Sequence, residues 1–429
     1  MYEDSSSFIE GLRRLNMLQD STPSLEKNLE KGKQRIYVGL DPTADSLHVG
    51  HLVSLFFLLR WYHWSERHDV LVVLGGATAM VGDPSGKHSE RDLLVSEEVL
   101  ENTEKMHDQI RGFFSLHGLT GSRIRVINNH EWWKEIGYLD FLRDIGKHFP
   151  LGYLLAKDTV RSRQKTGISF TEFSYSLMQA YDFLYLYKHH GVKIQAGGSD
   201  QWGNMTAGID LIRRKEGKEV DALTFPLLTR QNGQKFGKTE SGNLWLDGTK
   251  TSPYQMFHYV RNIDDEDLKI WQELLALPKK RGEKTNLDEP QPENLNTLKH
   301  DLACQVVSHV HGKTIAEGVA AASHLLFSRD GDFSKSGVFD ILSKEIPYAE
   351  CKIQEKDSLW KLISTVLDAP QGDKPFRSGG EARRLIQQGG LSINQVRVAS
   401  VDDPLPTPYL DEYYLFRKGK KDFFLLKLI

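Results

Sequence analysis

Residues 35–64 read RIYVGLDPTADSLHVGHLVSLFFLLRWYHW, and this stretch decides the fold. Its first five residues, aromatic and branched, read as a strand. Gly39, Asp41 and Pro42 then turn the chain, and residues 51–64 read as a helix. Outward from this unit, residues 70–74 (VLVVL) form a continuous branched run, the pattern of a parallel strand covered on both faces. Residues 123–127 (RIRVI) and 192–195 (VKIQ) read as two more strands. Strands separated by helices predict an α/β fold with a doubly wound parallel sheet, whose ligands sit at the carboxyl ends of the strands.

Past residue 252 the pattern turns helical, with periods over 254–260, 298–312 and 315–326. Between them, 279–294 (KKRGEKTNLDEPQPEN) is charged and proline-containing, and reads as a mobile loop. After Cys351 comes a compact segment with a helix start at 377–386, a Gly389-Gly390 stop, and short strands at 391–394, 413–416 and 423–428. The chain carries a net charge of -3, which argues against non-specific nucleic-acid binding, DNA included. From Lys374 onward, however, ten Lys/Arg stand against six Asp/Glu, a net of +4. Such a tail is a polyanion-binding appendage or simply a solvated basic face. No apolar run approaches the roughly 20 residues of a membrane span, so no membrane partner is expected. Two cysteines make no disulfide framework, and the acidic start MYED fits neither a secretory nor a transit signal. A reducing cytoplasm is the expected location, or an organelle matrix reached through a leader since removed.

Four segments carry chemistry, each just after a strand. In Tyr37 to His51, His48 and His51 open a helix on one face, where the helix dipole favours an oligophosphate; capping histidines in a structural turn are the other reading. The pair lacks a nearby third ligand, so no metal site is expected. Gly75-Gly76-Ala77-Thr78 leads to Asp83, Gly86-Lys87 and Arg91, an anion beside two cations among small residues. In 166–182, Ser169 and Glu172 form a capping box, and Tyr175, Gln179 and Asp182 share one helix face, lining a polar pocket or facing solvent. In 195–204, Gly197-Gly198 precedes Asp200 at a helix start, placed to accept from ribose or to cap. A further loop, Gly233 to Thr239, either presents Lys235 and Lys238 to departing phosphates or is simply an exposed hairpin. This loop and the Gly82–Lys87 stretch are both one residue short of a P-loop.

Together these segments resemble the tyrosyl-tRNA synthetases of the bacterial and organellar type, class I enzymes with a Rossmann-like catalytic domain. His48-Val49-Gly50-His51 resembles their HIGH motif, and Lys235-Phe236-Gly237-Lys238-Thr239 their KMSKS loop. The resemblance runs from about residue 8 to the end. Val38 stands where some relatives have cysteine, and Thr239 where others have serine.

The resemblance implies a tyrosine–tRNA ligase that forms tyrosyl-adenylate from L-tyrosine and ATP and then loads tRNA(Tyr). Mg²⁺ accompanies the ATP, and there is no tightly bound cofactor. Tyr37 and Asp182 would bind the phenol, Asp83, Tyr175 and Gln179 the ammonium, with Gln201 by the carboxyl and Gln195 supporting the pocket. Gly39, Asp41, Gly50, His51, Gly198, Asp200 and the backbone near Leu227 and Leu228 would contact the nucleotide. Thr43 and His48 would meet the terminal phosphate, joined by Lys87, Arg91, Lys235, Lys238 and Thr239. The tail resembles a ribosomal-protein RNA-binding fold, in which Arg383, Arg384, Lys420 and Lys421 would contact RNA. The implied division is a catalytic domain over 1–225, the lysine-loop linker over 226–252, a helical domain over 253–350 and an RNA-binding domain over 351–429, in a homodimer. The alternatives are an RNA-binding or splicing protein that keeps the fold, or, more distantly, the tryptophan enzyme.

Overall fold

The computed structural model describes residues 5–64, 68–85, 95–157, 160–161, 167–230, 233, 236–239, 242–275, 294–327, 337–352, 358–368, 376, 378–419 and 422–429. These fall into two compact units, one of residues 1–252 with 261–302, the other of 253–260 with 303–429.

The first unit is built on a six-stranded sheet. Its strands are β1 (Asp20–Ser21), β2 (Arg35–Leu40), β3 (Asp69–Leu74), β4 (Ile124–Asn128), β5 (Ile194–Gly198) and β6 (Asp221–Phe225), in spatial order β1-β6-β5-β2-β3-β4. Only the short edge strand β1 runs antiparallel; every other pair is parallel. The chain winds outward through β2, β3 and β4, then returns to lay β5 against the other side of β2. The winding direction therefore reverses between β2 and β5, which opens a crevice at their carboxyl ends. In register, Tyr37 of β2 lies between Leu71 and Gln195. β3 is buried along its whole length, as its unbroken apolar run requires. β6 (DALTF) is a strand that periodicity does not reveal, because a charge and a hydroxyl interrupt a window of five residues.

Helix Leu52–Trp64 is buried on nearly all sides, matching its almost uniformly apolar sequence. Helix Phe170–His190 begins at the expected cap, where the Ser169 hydroxyl accepts from the Glu172 N–H at 3.2 Å. It ends at Gly191, which takes the left-handed conformation of a helix stop. Tyr37, Phe183, Leu184 and Leu211 belong to one apolar cluster that locks this helix onto the sheet. The loop expected over 279–294 lies, apart from Asn294, outside the described residues.

In the second unit, β9 (Tyr348–Cys351), β10 (Leu391–Ile393), β11 (Val396–Arg397), β12 (Tyr413–Lys418) and β13 (Asp422–Leu428) make a sheet ordered β11-β10-β12-β13-β9. One sheet face packs on helices Leu359–Asp368 and Gly379–Gln387 through Leu362, Ile363, Ile386 and Phe416. Tyr413, Leu415 and Leu425 pack instead on Leu325, Phe339 and Leu342. The helical and sheet segments of this unit are thus joined by a shared apolar cluster.

Candidate functional site

A cavity of about 1000 Å³ opens at the carboxyl ends of β2 and β5. The strands and their following loops bring Tyr37, Gly39, Asp41, Thr43, His48, Gly50 and His51 to it from one side. Gln195, Gly198, Asp200, Gln201, Leu227 and Leu228 come from the other, and Asp83, Tyr175, Gln179 and Asp182 complete the wall. Segments up to about 190 residues apart in sequence therefore share one hollow.

At its deep end Asp182 is 5% exposed. Its Oδ1 accepts from the indole N–H groups of Trp132 and Trp133, each at 2.8 Å, and its Oδ2 from the Asn129 amide at 3.0 Å. Burial pushes the Asp182 carboxyl up to about 7, while the three N–H donors act in the opposite direction. The Tyr37 hydroxyl, on β2, is buried without a hydrogen-bond partner, and so is the Gln195 Oε1 beside it on β5. Its burial, and then the charge of Asp182, hold the Tyr37 phenol far above its ordinary range, so it stays a donor. Unpartnered polar atoms facing a cavity are costly unless a ligand meets them.

Further out, Asp41 accepts from the Tyr175 hydroxyl at 2.7 Å and from Thr78 at 2.8 Å, and Thr78 in turn accepts from Asn129 at 3.1 Å. Asp83 accepts from the Gln201 amide at 2.7 Å. These bonds fix three carboxylates, Asp41, Asp83 and Asp182, around one pocket.

At the mouth, the rings of His48 and His51 stack 4.0 Å apart. The His48 Nδ1 accepts from the Gly50 N–H, and the His51 Nδ1 accepts from the His48 N–H. With Nδ1 accepting, the proton of each neutral ring sits on Nε2. Burial, reinforced by His48, keeps His51 well below its usual range and therefore neutral. Gly50 is required here, since a Cβ on it would stand 2.9 Å from the His48 ring. The two readings of these histidines meet: they cap the turn through Nδ1, which puts the N–H of each ring on Nε2.

The histidine segment also carries the lysine hairpin. Val49 N–H donates to Leu244 and Leu246 N–H to Leu47, while β7 (Lys238–Thr239) pairs with β8 (Gly242–Asn243). Gly237, at φ +80, lies so close to Val49 that a Cβ would approach its methyl to 2.4 Å. Lys87, Arg91 and Lys235 fall outside the described residues, and so do the side chains of Lys238 and Thr239.

The family described as tRNA synthetases class I (W and Y) matches residues 29–328. The tyrosine–tRNA ligase of Bacteroides thetaiotaomicron is 39% identical, over 98% of this chain and 99% of that protein. That of Amoebophilus asiaticus is 41% identical with the same coverage. This chain belongs to the tyrosyl-tRNA synthetases. A C-terminally truncated mitochondrial tyrosyl-tRNA synthetase from Aspergillus nidulans shares the fold, with a TM-score of 0.64 and 30% identity over 75% of this chain and 94% of that one.

Four residues of this tyrosyl-tRNA synthetase were not singled out from the sequence for the roles they have: Thr78, Asn129, Trp132 and Trp133. The last three follow β4, at whose carboxyl end the sequence carries no glycine-rich turn to mark a site. In the second unit Arg383 and Arg384 are exposed on helix Gly379–Gln387, and the Arg383 guanidinium lies 4.4 Å over the Trp360 ring. Lys420 and Lys421 lie outside the described residues. Among the described residues no helix is long and apolar enough to cross a membrane.

Proposed function

We propose that this tyrosine–tRNA ligase binds the tyrosine phenol between Tyr37 and Asp182 and the ATP phosphates at His48 and His51. The observation that carries this reading is the buried, unpartnered Tyr37 hydroxyl beside a carboxylate already held by three donors, in the cavity that the two histidines also line. Asp83, Tyr175 and Gln179 receive the ammonium group, with Gln201 near the carboxylate. A carboxylate oxygen of tyrosine attacks the α-phosphorus, the α–β bridging bond breaks, and pyrophosphate leaves. A ribose hydroxyl at the tRNA 3′ end then attacks the activated carbonyl and releases AMP. Such phosphoryl chemistry rests on positioning and charge stabilisation, which suits a site of neutral histidines and backbone turns. Thr43, Lys87, Arg91, Lys235, Lys238 and Thr239 are assigned to the departing pyrophosphate. Gly39, Asp41, Gly198, Asp200 and the backbone near Leu227 and Leu228 are assigned to the nucleoside. Mg²⁺ accompanying the ATP would offset the phosphate charge; among the described residues no three His, Cys, Asp or Glu side chains form a cage for it.

Burial raises the Asp182 carboxyl to about 7, so its ionised, accepting form is fully present above that pH and lost below it. Tyrosine affinity should therefore fall as pH drops through about 7, read as a rising KM for tyrosine in ATP–pyrophosphate exchange. A KM flat from pH 6 to 8 contradicts the phenol assignment.

We assign RNA contact to residues 351–429, with Arg383, Arg384, Lys420 and Lys421 as phosphate partners. The double change Arg383→Glu with Arg384→Glu should leave exchange intact and raise the KM for tRNA at least tenfold. Unchanged charging removes this face from tRNA recognition. We also assign a homodimer, supported by the exposed Tyr138, Leu139, Leu151 and Phe170, and a cytoplasmic setting, supported by the absence of a disulfide between Cys304 and Cys351.

A further inference from the structure

The Asp182 carboxylate uses one oxygen to accept two indole N–H groups from adjacent residues. Trp132 is 4% exposed and belongs to the apolar cluster. Trp133 is only partly buried, yet its N–H reaches the same Oδ1 at the same 2.8 Å. Its ring is fixed by edge contacts, 5.3 Å from Phe141 and 5.2 Å from Tyr181. The ring needs no hydrogen bond to stay in place, and its N–H is aimed at the carboxylate.

We infer that Trp133 is a positioning residue for amino-acid selection, holding Asp182 ionised and aimed so that the substrate hydroxyl meets an acceptor with one oxygen already saturated. This deepens the proposed phenol site and rests on it. With Oδ1 occupied by two donors and Oδ2 by only one, the acceptor capacity left for a phenol lies on Oδ2. Of the other titratable groups facing Asp182, Asp41 from the loop after β2 disfavours its charge, while Asp182 in turn helps to keep the phenols of Tyr37 from β2 and of Tyr175 and Tyr181 from its own helix protonated. The N–H donors of Asn129, Trp132 and Trp133 are the counterweight to burial and to Asp41. Trp133 is the replaceable one, because Phe keeps its packing and removes only the donor.

The test is Trp133→Phe, with Asp182→Asn and Trp132→Phe alongside, in ATP–pyrophosphate exchange from pH 5.5 to 8.5 with tyrosine and with phenylalanine. Loss of one hydrogen bond to a charged group predicts a rise of about tenfold in the KM for tyrosine with kcat nearly unchanged. The acid limb of kcat/KM should move to higher pH, and the preference for tyrosine over phenylalanine should fall by about the same factor. A merely structural ring would shift neither the limb nor the preference; if both match the unaltered enzyme, the inference fails. If Asp182→Asn also leaves the tyrosine KM unchanged, the phenol site itself is misplaced. If Asp182→Asn raises it and Trp133→Phe does not, Trp133 alone loses its role. Should Trp133→Phe melt at a lower temperature, the pH limb still decides, since it is read on the folded fraction. Trp132→Phe should show the same shift together with a loss of stability from its more buried setting.

Discussion

Asp182→Asn should lower kcat/KM for tyrosine in the exchange reaction by about 10²- to 10³-fold. All three donors around this side chain are N–H groups, two on one oxygen and one on the other. An amide placed there directs its own NH₂ at one of them whichever way it flips. One bond to a charge is lost, at about 1.5–3 kcal/mol, and a buried donor is left unmet, at about 1–3 kcal/mol. A combined loss of about 3–4 kcal/mol corresponds to the stated factor. The effect should appear mainly in the tyrosine KM, with the KM for ATP altered little. An effect under threefold would remove Asp182 from the pocket.

The second large effect is on the phosphate side. His48→Asn keeps a side-chain acceptor at the cap position, where asparagine is a favoured residue, but takes away the Nε2 donor. Removing one preorganised donor to a developing phosphate charge costs on the order of 3 kcal/mol, or about 10²-fold in kcat for adenylate formation. Tyrosine binding should be unaffected, because none of the donors that hold Asp182 comes from the His48 segment. Pre-steady-state measurement of adenylate formation separates the two. If kcat is unchanged and the tyrosine KM rises, the histidines belong to a different subsite.

The sheet was legible chiefly through β3, since a parallel strand covered on both faces favours an unbroken apolar run such as residues 70–74. Much of the site was legible because its groups sit at strand ends, while Tyr175, Gln179 and Asp182 were legible from their spacing on one helix face. β6 escaped because five mixed residues carry no period. Its place beside β5 is fixed by pairing across the sheet, which no local window contains. Asn129, Trp132 and Trp133 escaped for a different reason. Nothing in the spacing of two adjacent tryptophans says that both indole N–H groups converge on a carboxylate about 50 positions later. Convergence of that kind is a property of the fold. The capping action of the histidines lay between the two cases. Their spacing pointed to one face, but only the backbone donors reveal which ring nitrogen caps the turn and which carries the proton.

The central claim is that one cavity holds a donor, Tyr37, and an acceptor, Asp182, for a para-hydroxyl beside a nucleotide site. ATP–pyrophosphate exchange driven by tyrosine and by phenylalanine, compared as kcat/KM, tests it most directly. The discrimination known for this enzyme class is about 10⁵-fold without editing; it sets the scale and does not follow from the present geometry. Exchange that responds to tyrosine with phenylalanine lower by several orders of magnitude is the predicted result. Equal exchange with the two amino acids would contradict the account.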